Sequence, residues 1–225
     1  MPGRPSSSRR RGPAYHGGMG RIYDFYERRL FPIGLDLAMK PFGPQREPTL
    51  QEARGDVLEI GFGTGLNVPH YPAGVERLST VDPMNALEAK VARRIAEAPF
   101  PVERHHLPAD GGLPFDAGRF DTVTVTWTLC TIPDAGAALR EMHRVLKPEG
   151  RLLFIEHGRS DDPGIARWQD RLNRIQNVIA CGCNLNRAIG ELVEGAGFQI
   201  ERLEQLIEGP RVFATLYRGA ALPKG

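Results

Sequence analysis

The stretch VLEIGFGTGLNVPHY, residues 57–71, places three glycines in five positions directly behind an apolar run. The run DVLEI (56–60) has the length and composition of a short buried strand, and Gly61, Gly63 and Gly65 follow at its carboxyl end. Glycine permits positive φ and removes the Cβ that would hold a ligand away from the main chain. One such glycine marks a tight turn; three in five residues imply a backbone bared for a small ligand. The spacing narrows the choice of ligand. A Walker-type phosphate loop needs a Lys after its glycines, and none follows here. The dinucleotide fingerprint G-x-G-x-x-G would require glycine where Leu66 stands. Glu59, two residues ahead of the first glycine, is unfavourable beside a pyrophosphate but favourable beside a cation.

Around this loop, short apolar runs alternate with helical patterns. RLSTVD (77–82), VERHHL (102–107), FDTVTVTW (120–127) and RLLFIEH (151–157) read as strands. MNALEAKVARRIAEA and PDAGAALREMHRVLKPEG read as helices, the second ended by Pro148 and Gly150. Two further helical stretches, about 164–180 and 185–195, are split by CGCN. Alternation of this kind implies βαβ units and a parallel sheet with right-handed crossovers. The ending differs: FQIERLEQLI and RVFATLYRGA are separated by only Glu208, Gly209 and Pro210. A link that short allows only an antiparallel pair. The expected fold class is α/β, a doubly wound, mostly parallel seven-stranded sheet with a reversed final strand.

Ahead of the sheet, residues 15–40 read as amphipathic helix interrupted near Pro32 and Gly34, with Tyr23, Tyr26, Leu30 and Ile33 on one face. That face is expected to pack in the core or to close over a ligand. Pro41, Gly43, Pro44 and Pro48 mark a linker. The resulting division is a disordered basic tail (1–13), a helical cap and linker (14–48), and a ligand-binding domain (49–221) with a helical insertion at about 160–187.

Bulk properties exclude several classes. A net charge of +2 gives no argument for nucleic acid. The arginines at positions 9–11 are followed by no apolar segment of a secretory signal, and no run approaches the 18 or so apolar residues of a membrane span. Three cysteines, Cys130, Cys181 and Cys183, are too few and odd in number for a disulfide framework. These features point to a reducing, cytoplasmic setting. Cys181-Gly182-Cys183 invites a metal reading, but no second Cys pair or spaced His pair completes a four-ligand zinc site, so no metal is expected. His105 and His106 fall on opposite faces of a strand and cannot share a site.

In a doubly wound sheet the ligand lies at the carboxyl ends of the strands, at the switch point, where the glycines stand. Asp82, ending the second strand, can accept both hydroxyls of a ribose. A cationic, ribose-bearing ligand without phosphate describes S-adenosylmethionine. At this level the sequence resembles the class I S-adenosylmethionine-dependent methyltransferases, especially the group that includes quinone-ring methyltransferases. The resemblance covers about residues 50–218 and rests on VLEIGFGTG, Asp82, LPFDAGRFDTV, TWTLCTIPDAGAALREMHRVLKPEGRLLFIEH and EGAGFQIE. It implies that Gly61, Gly63, Gly65 and Asn67 line the methionine and ribose portions of the cofactor, with Glu59 supporting the loop. It implies also that Asp82 and Pro83 meet the ribose, that Met84 packs on adenine, and that Thr126 and Trp127 give backbone contacts to the methionine moiety. The acidic position that the family has ahead of LPF falls on Gly111, so Asp110, one residue earlier, is the residue expected to meet the adenine amino group.

Methyl transfer from a sulfonium depends mainly on alignment, which can contribute roughly 7–11 kcal/mol. Glu156 and His157, at the end of the fifth strand, are the candidate bases, and His157 suits proton abstraction near neutral pH. Cys130 lacks a neighbouring base in the sequence and is expected to be pocket wall, with Thr131 beside it. IEHGRSDDPGIARWQDRLNRIQNVIACGCNLNR looks like the corresponding region of membrane-associated thiol methyltransferases. Trp168 lies on one apolar face of its helix, expected to be core or a cap over the site; peripheral membrane docking of that face is the other reading. The expected activity is methyl transfer to a small, lipophilic thiol, phenol or quinone-like molecule; the alternative is a cofactor-binding protein without transfer activity. The partners expected are this small-molecule acceptor alone, with no nucleic acid.

Overall fold

A computed structural model describes residues 25–225, apart from the side chains of residues 27 and 28. The basic tail and Tyr23 lie outside the described residues. Among the described residues, seven strands form one sheet: β1 (Gly55–Ile60), β2 (Val75–Val81), β3 (Val102–His105), β4 (Phe120–Thr126), β5 (Leu146–His157), β6 (Phe198–Ile207) and β7 (Thr215–Pro223). Their order is β3-β2-β1-β4-β5-β7-β6. The first five run parallel, and β7 enters antiparallel between β5 and β6, with His157 opposite Leu216 and Leu152 opposite Ala221.

The central strands are apolar on both faces because helices cover both. Leu58, Ile60, Val123, Val125, Leu152 and Phe154 pack on one side with α4 (Ala135–Val145) and α6 (Ile189–Gly195). Val57, Leu78 and Leu153 face the other side with Leu50 of α2 (Gly43–Leu50) and Val91 of α3 (Glu88–Ala96). This is the doubly wound arrangement expected from the sequence, reversed strand included.

Four local expectations need correction. The prolines of 41–48 do not make an irregular linker. They sit in a short 3-10 turn and in α2, where Pro44 takes a first-turn position whose N–H has no helical partner anyway. The helix expected from Met84 begins only at Glu88, because Leu87 sits at φ 55 and breaks the path. The helix expected from residue 185 begins at Ile189. The last strand begins at Thr215, after a turn closed by N–H groups of Phe213 and Ala214 on the Pro210 carbonyl.

At the amino-terminal side, a π-helical turn (Tyr26–Leu30) leads into α1 (Phe31–Ala38). Asp36 is buried in α1 and fixes it: one carboxylate oxygen accepts from Thr64 Oγ1 (2.6 Å) and Arg94 Nη1 (2.8 Å), the other from Lys90 Nζ (2.7 Å). The cap is thereby tied to α3 and to the glycine loop. The long helix α5 (Pro163–Ile179) is capped by Asp162, whose carboxylate accepts from the Gly164 and Ile165 N–H groups. Its apolar face was expected to be core or cap; instead Trp168, Ile175 and Ile179 are more than half exposed. Among the described residues no helix is long and apolar enough to cross a membrane.

Candidate active site

A cavity of about 1290 Å³ opens where the order of strands reverses, over the carboxyl ends of β1 and β4. Single small-molecule sites run to roughly 1,000 Å³, so there is room for two ligands side by side. Leu30, Phe31, Ile33 and Met39 of the cap form one apolar wall.

The three glycines of the loop have separate reasons. All have positive φ. A Cβ at Gly61 would collide with the Thr128 side chain, and one at Gly65 would press on the Phe62 ring. At Gly63, φ +55, a Cβ would meet nothing within 4 Å and would project into the cavity. Gly63 is therefore the bared position facing a ligand, and its N–H is turned to Asp82 Oδ2 at 2.6 Å. Asp82 Oδ1 accepts from the Met84 N–H at 2.7 Å. Each carboxylate oxygen keeps a second lone pair for an incoming hydroxyl. Burial raises the Asp82 pKa, and the two N–H donors pull against that shift.

Beneath the loop lies a buried polar network. Glu59, 1% exposed, accepts from Asn67 Nδ2 (2.8 Å) and from the Tyr71 hydroxyl (3.0 Å). Asn67 also donates to Thr126 Oγ1 (3.0 Å) and accepts from Arg46 Nη1 (2.5 Å). Burial pushes the Glu59 carboxyl up to about 8, with the Tyr71, Asn67 and Arg46 interactions opposing it. Arg46 stands over the Trp127 ring, its guanidinium carbon 4.7 Å from the centroid. Trp127 itself is strained, at φ 49, and its N–H bonds the Ile155 carbonyl at 2.8 Å. Its indole Nε1 is buried with no partner among the described residues. Backbone strain at a cavity wall is the pattern of a binding site.

At the other side of the site, Glu156 has no exposed surface. Its Oε1 accepts from the Thr128 (2.8 Å) and Leu129 (2.9 Å) N–H groups and its Oε2 from that of Cys130 (3.2 Å). A carboxylate so occupied, and behind the wall, holds the loop after β4 in place; it does not reach an acceptor. Burial raises its pKa to about 7. His157 does line the cavity, with Cys130, Thr131, Cys181 and Cys183. The Cys183 sulfur lies 3.6 Å from that of Cys130 and 3.8 Å from His157 Nδ1. The Cys130 contact lowers the pKa of the Cys183 thiol to about 5, aided by the imidazole; the same contact and burial raise that of Cys130.

Of the residues singled out in the sequence, Glu59, Gly61, Gly63, Asn67, Asp82, Pro83, Met84, Asp110, Thr126 and Trp127 line the cavity. Gly65 and Gly111 do not. Tyr26 is also off the wall, donating its hydroxyl to the Ile179 carbonyl at 2.7 Å, and so is Trp168, with Arg171 stacked over it. Asp36, Arg46 and Tyr71 carried no local signal; each acts on partners distant in the sequence.

A family model described as a methyltransferase domain matches residues 58–154. The thiol S-methyltransferase TMT1A of Homo sapiens is 33% identical over 172 residues, covering 70% of this chain and 67% of that protein. The chain belongs to the class I S-adenosylmethionine-dependent methyltransferases. The methyltransferase is likewise 32% identical over 151 residues to the thiol S-methyltransferase TMT1B of Rattus norvegicus, covering 66% of this chain and 62% of that one. The matched stretch thus spans about two thirds of these relatives' length. In fold it is similar to the 1,6-didemethyltoxoflavin-N1-methyltransferase of Burkholderia thailandensis, with a TM-score of 0.63 at 20% identity, covering 90% of this chain and 86% of that one. S-adenosylmethionine brings a methyl group already joined to a good leaving group. The methyltransferase has the groups to hold it: the open cradle at Gly63 and the lone pairs left on Asp82.

Proposed function

We propose that the protein transfers the methyl group of S-adenosylmethionine to the sulfur of a small, apolar thiol. The observation that carries this reading is the two-sided cavity. Gly63 and Asp82 mark the β1–β2 side, and Cys130, Cys183 and His157 the β4–β5 side. Three strand spacings of about 4.8 Å separate the end of β2 from the end of β5, about 14 Å in all, enough for donor and acceptor to lie end to end. In this reading Asp82 holds the ribose hydroxyls, Glu59 and Asn67 brace the loop under the methionine portion, and the cap's apolar wall excludes water. The thiol character of the acceptor is supported by the two thiol methyltransferase relatives and by the soft, sulfur-rich corner where it would sit.

The test is a radiolabelled-methyl assay across matched thiols, phenols, amines and lipids. Sustained turnover on thiols at least about tenfold above phenols of equal size is the expected result. Turnover confined to amines or phenols would remove the thiol assignment. Asp82→Ala is expected to weaken S-adenosylhomocysteine binding in calorimetry by about 1–3 kcal/mol, one charged hydrogen-bonding group's worth.

A further inference from the structure

We propose that Cys130, Cys183 and His157 form a zinc site with one position open to the cavity. The catalytic role of the ion, though not its binding, rests on the thiol-acceptor reading.

The three ligand atoms come from three separate places: the loop after β4, the turn between α5 and α6, and the last residue of β5. They lie within 4.8 Å of one another. In a tetrahedral site with Zn–S of about 2.3 Å and Zn–N of about 2.0–2.1 Å, sulfurs stand about 3.8 Å apart and sulfur–nitrogen pairs about 3.5 Å. The Cys130–Cys183 separation is 3.6 Å and the Cys183–His157 separation 3.8 Å. A disulfide would need the sulfurs at about 2.05 Å, so the spacing suits shared coordination rather than a bond.

Hydrogen bonds hold these positions without an ion. The Cys130 carbonyl accepts from both the Asn184 N–H and Asn184 Nδ2, each at 2.9 Å, while Glu156 accepts from the Cys130 N–H. The Gly182 carbonyl accepts from Asn177 Nδ2 (3.0 Å) and Asn184 Nδ2 (2.8 Å), which fixes the turn carrying Cys183. Such supporting contacts orient ligands at metal centres. A structural zinc would require a fourth protein ligand, and among the described residues the cluster has three. Three protein ligands, all on the cavity wall, match the open arrangement of catalytic zinc. Two sulfurs and an imidazole favour a borderline-soft ion over Mg²⁺ or Ca²⁺.

The chemistry balances. The acceptor R–SH binds at the open position as R–S⁻, and its proton leaves to solvent; a coordinating thiol is deprotonated outright. A sulfur lone pair forms the new C–S bond as the carbon–sulfonium bond breaks, and the electron pair of that bond neutralises the sulfonium. The products are R–S–CH₃ and S-adenosylhomocysteine, and the ion stays divalent throughout.

The experiment measures zinc in the full chain after reduction, reconstitution and desalting. About one zinc per chain is expected, with Cys130→Ser, Cys183→Ser and His157→Ala each losing at least about tenfold in affinity against a chromophoric chelator, and Cys181→Ser retaining it. S-adenosylhomocysteine affinity, measured on every variant, identifies any that fail to fold, and Cys183→His is expected to restore binding lost in Cys183→Ser. Cobalt(II) in place of zinc should show thiolate charge-transfer and tetrahedral visible bands, and phenylmethanethiol, added without methyl donor, should shift them where benzyl alcohol does not. No stoichiometric metal in the wild type, or full retention in the Cys130→Ser/Cys183→Ser double variant, overturns the site. Zinc bound without a response to the thiol supports the site and overturns its catalytic role. Thiol turnover by metal-free protein overturns the ion's catalytic role and leaves the acceptor assignment standing.

Discussion

Gly63 and Gly61 share a backbone conformation and differ in what surrounds them, so substitution should separate binding from folding. Gly63→Arg fills the cradle at the conformational cost of a left-handed non-glycine residue, about 1–2 kcal/mol. It is expected to abolish S-adenosylhomocysteine binding in calorimetry while leaving a cooperative unfolding transition. Gly61→Ala meets Thr128 and should lose more stability than Gly63→Ala in urea denaturation. Glu59 gives a signed pH dependence. Its folded pKa of about 8 is raised from 4.5, so between those values the folded chain keeps a proton that the unfolded chain has lost. Stability therefore falls as pH rises across that window, by up to about 1.4 kcal/mol per unit. A cationic ligand favours the ionised form, so affinity for S-adenosylmethionine should tighten with pH toward 8, up to about tenfold per unit. Glu59→Gln should flatten both trends; a wild type whose affinity does not change from pH 6 to 8 would contradict this placement of the cation. Glu59 and Asp82 were legible because they flank the glycines at fixed spacing. Arg46 and Tyr71, which face Glu59 from other elements, were not: nothing in an isolated Arg or Tyr says which carboxylate it will meet.

The loop after β4 shows how one strand's end shapes another's. Its three consecutive N–H groups converge on Glu156 of β5. Glu156→Gln replaces one acceptor oxygen with an NH₂ group that must face a backbone N–H, a loss of about 1–3 kcal/mol. Urea denaturation should show that drop, together with reduced turnover as Cys130 shifts; an unchanged midpoint would mean the loop is held by other contacts. The sequence placed Glu156 beside His157 and so suggested a shared catalytic task, yet successive strand residues point to opposite sides. Strands were the best-read elements, since runs such as FDTVTVT carry β-branched residues at five consecutive positions. The stretch 43–50 was misread for the opposite reason. Its prolines suppress the helical signal, although Pro44 occupies a first-turn position that costs the helix nothing.

The cavity sits at the reversal of strand order, where parallel strands diverge and leave a crevice that side chains do not fill. Filling it should stabilise the whole fold: S-adenosylhomocysteine at 100 times its dissociation constant adds about 2.7 kcal/mol. For a domain of this size that is a rise of roughly 5–11 °C in melting temperature, readable by scanning calorimetry. A shift under about 1 °C at that saturation would show that the ligand does not bind the folded state as described. The global topology was legible because the link between the last two strands, read as three residues and seven in the structure, is too short for a parallel crossover. The sulfur–imidazole corner was not, since Cys130, His157 and Cys183 are each separated by 26 or more positions and meet only once the sheet is built. The insertion of β7 between β5 and β6 has a consequence for biogenesis. During synthesis β6 emerges first but has no neighbour to join, and β5 shows an unpaired edge until the later strand arrives to bridge them. The nascent chain is thus most open to wrong intermolecular pairing in that interval. Substitutions that slow the closing hairpin should reduce soluble yield before they reduce the stability of the finished protein.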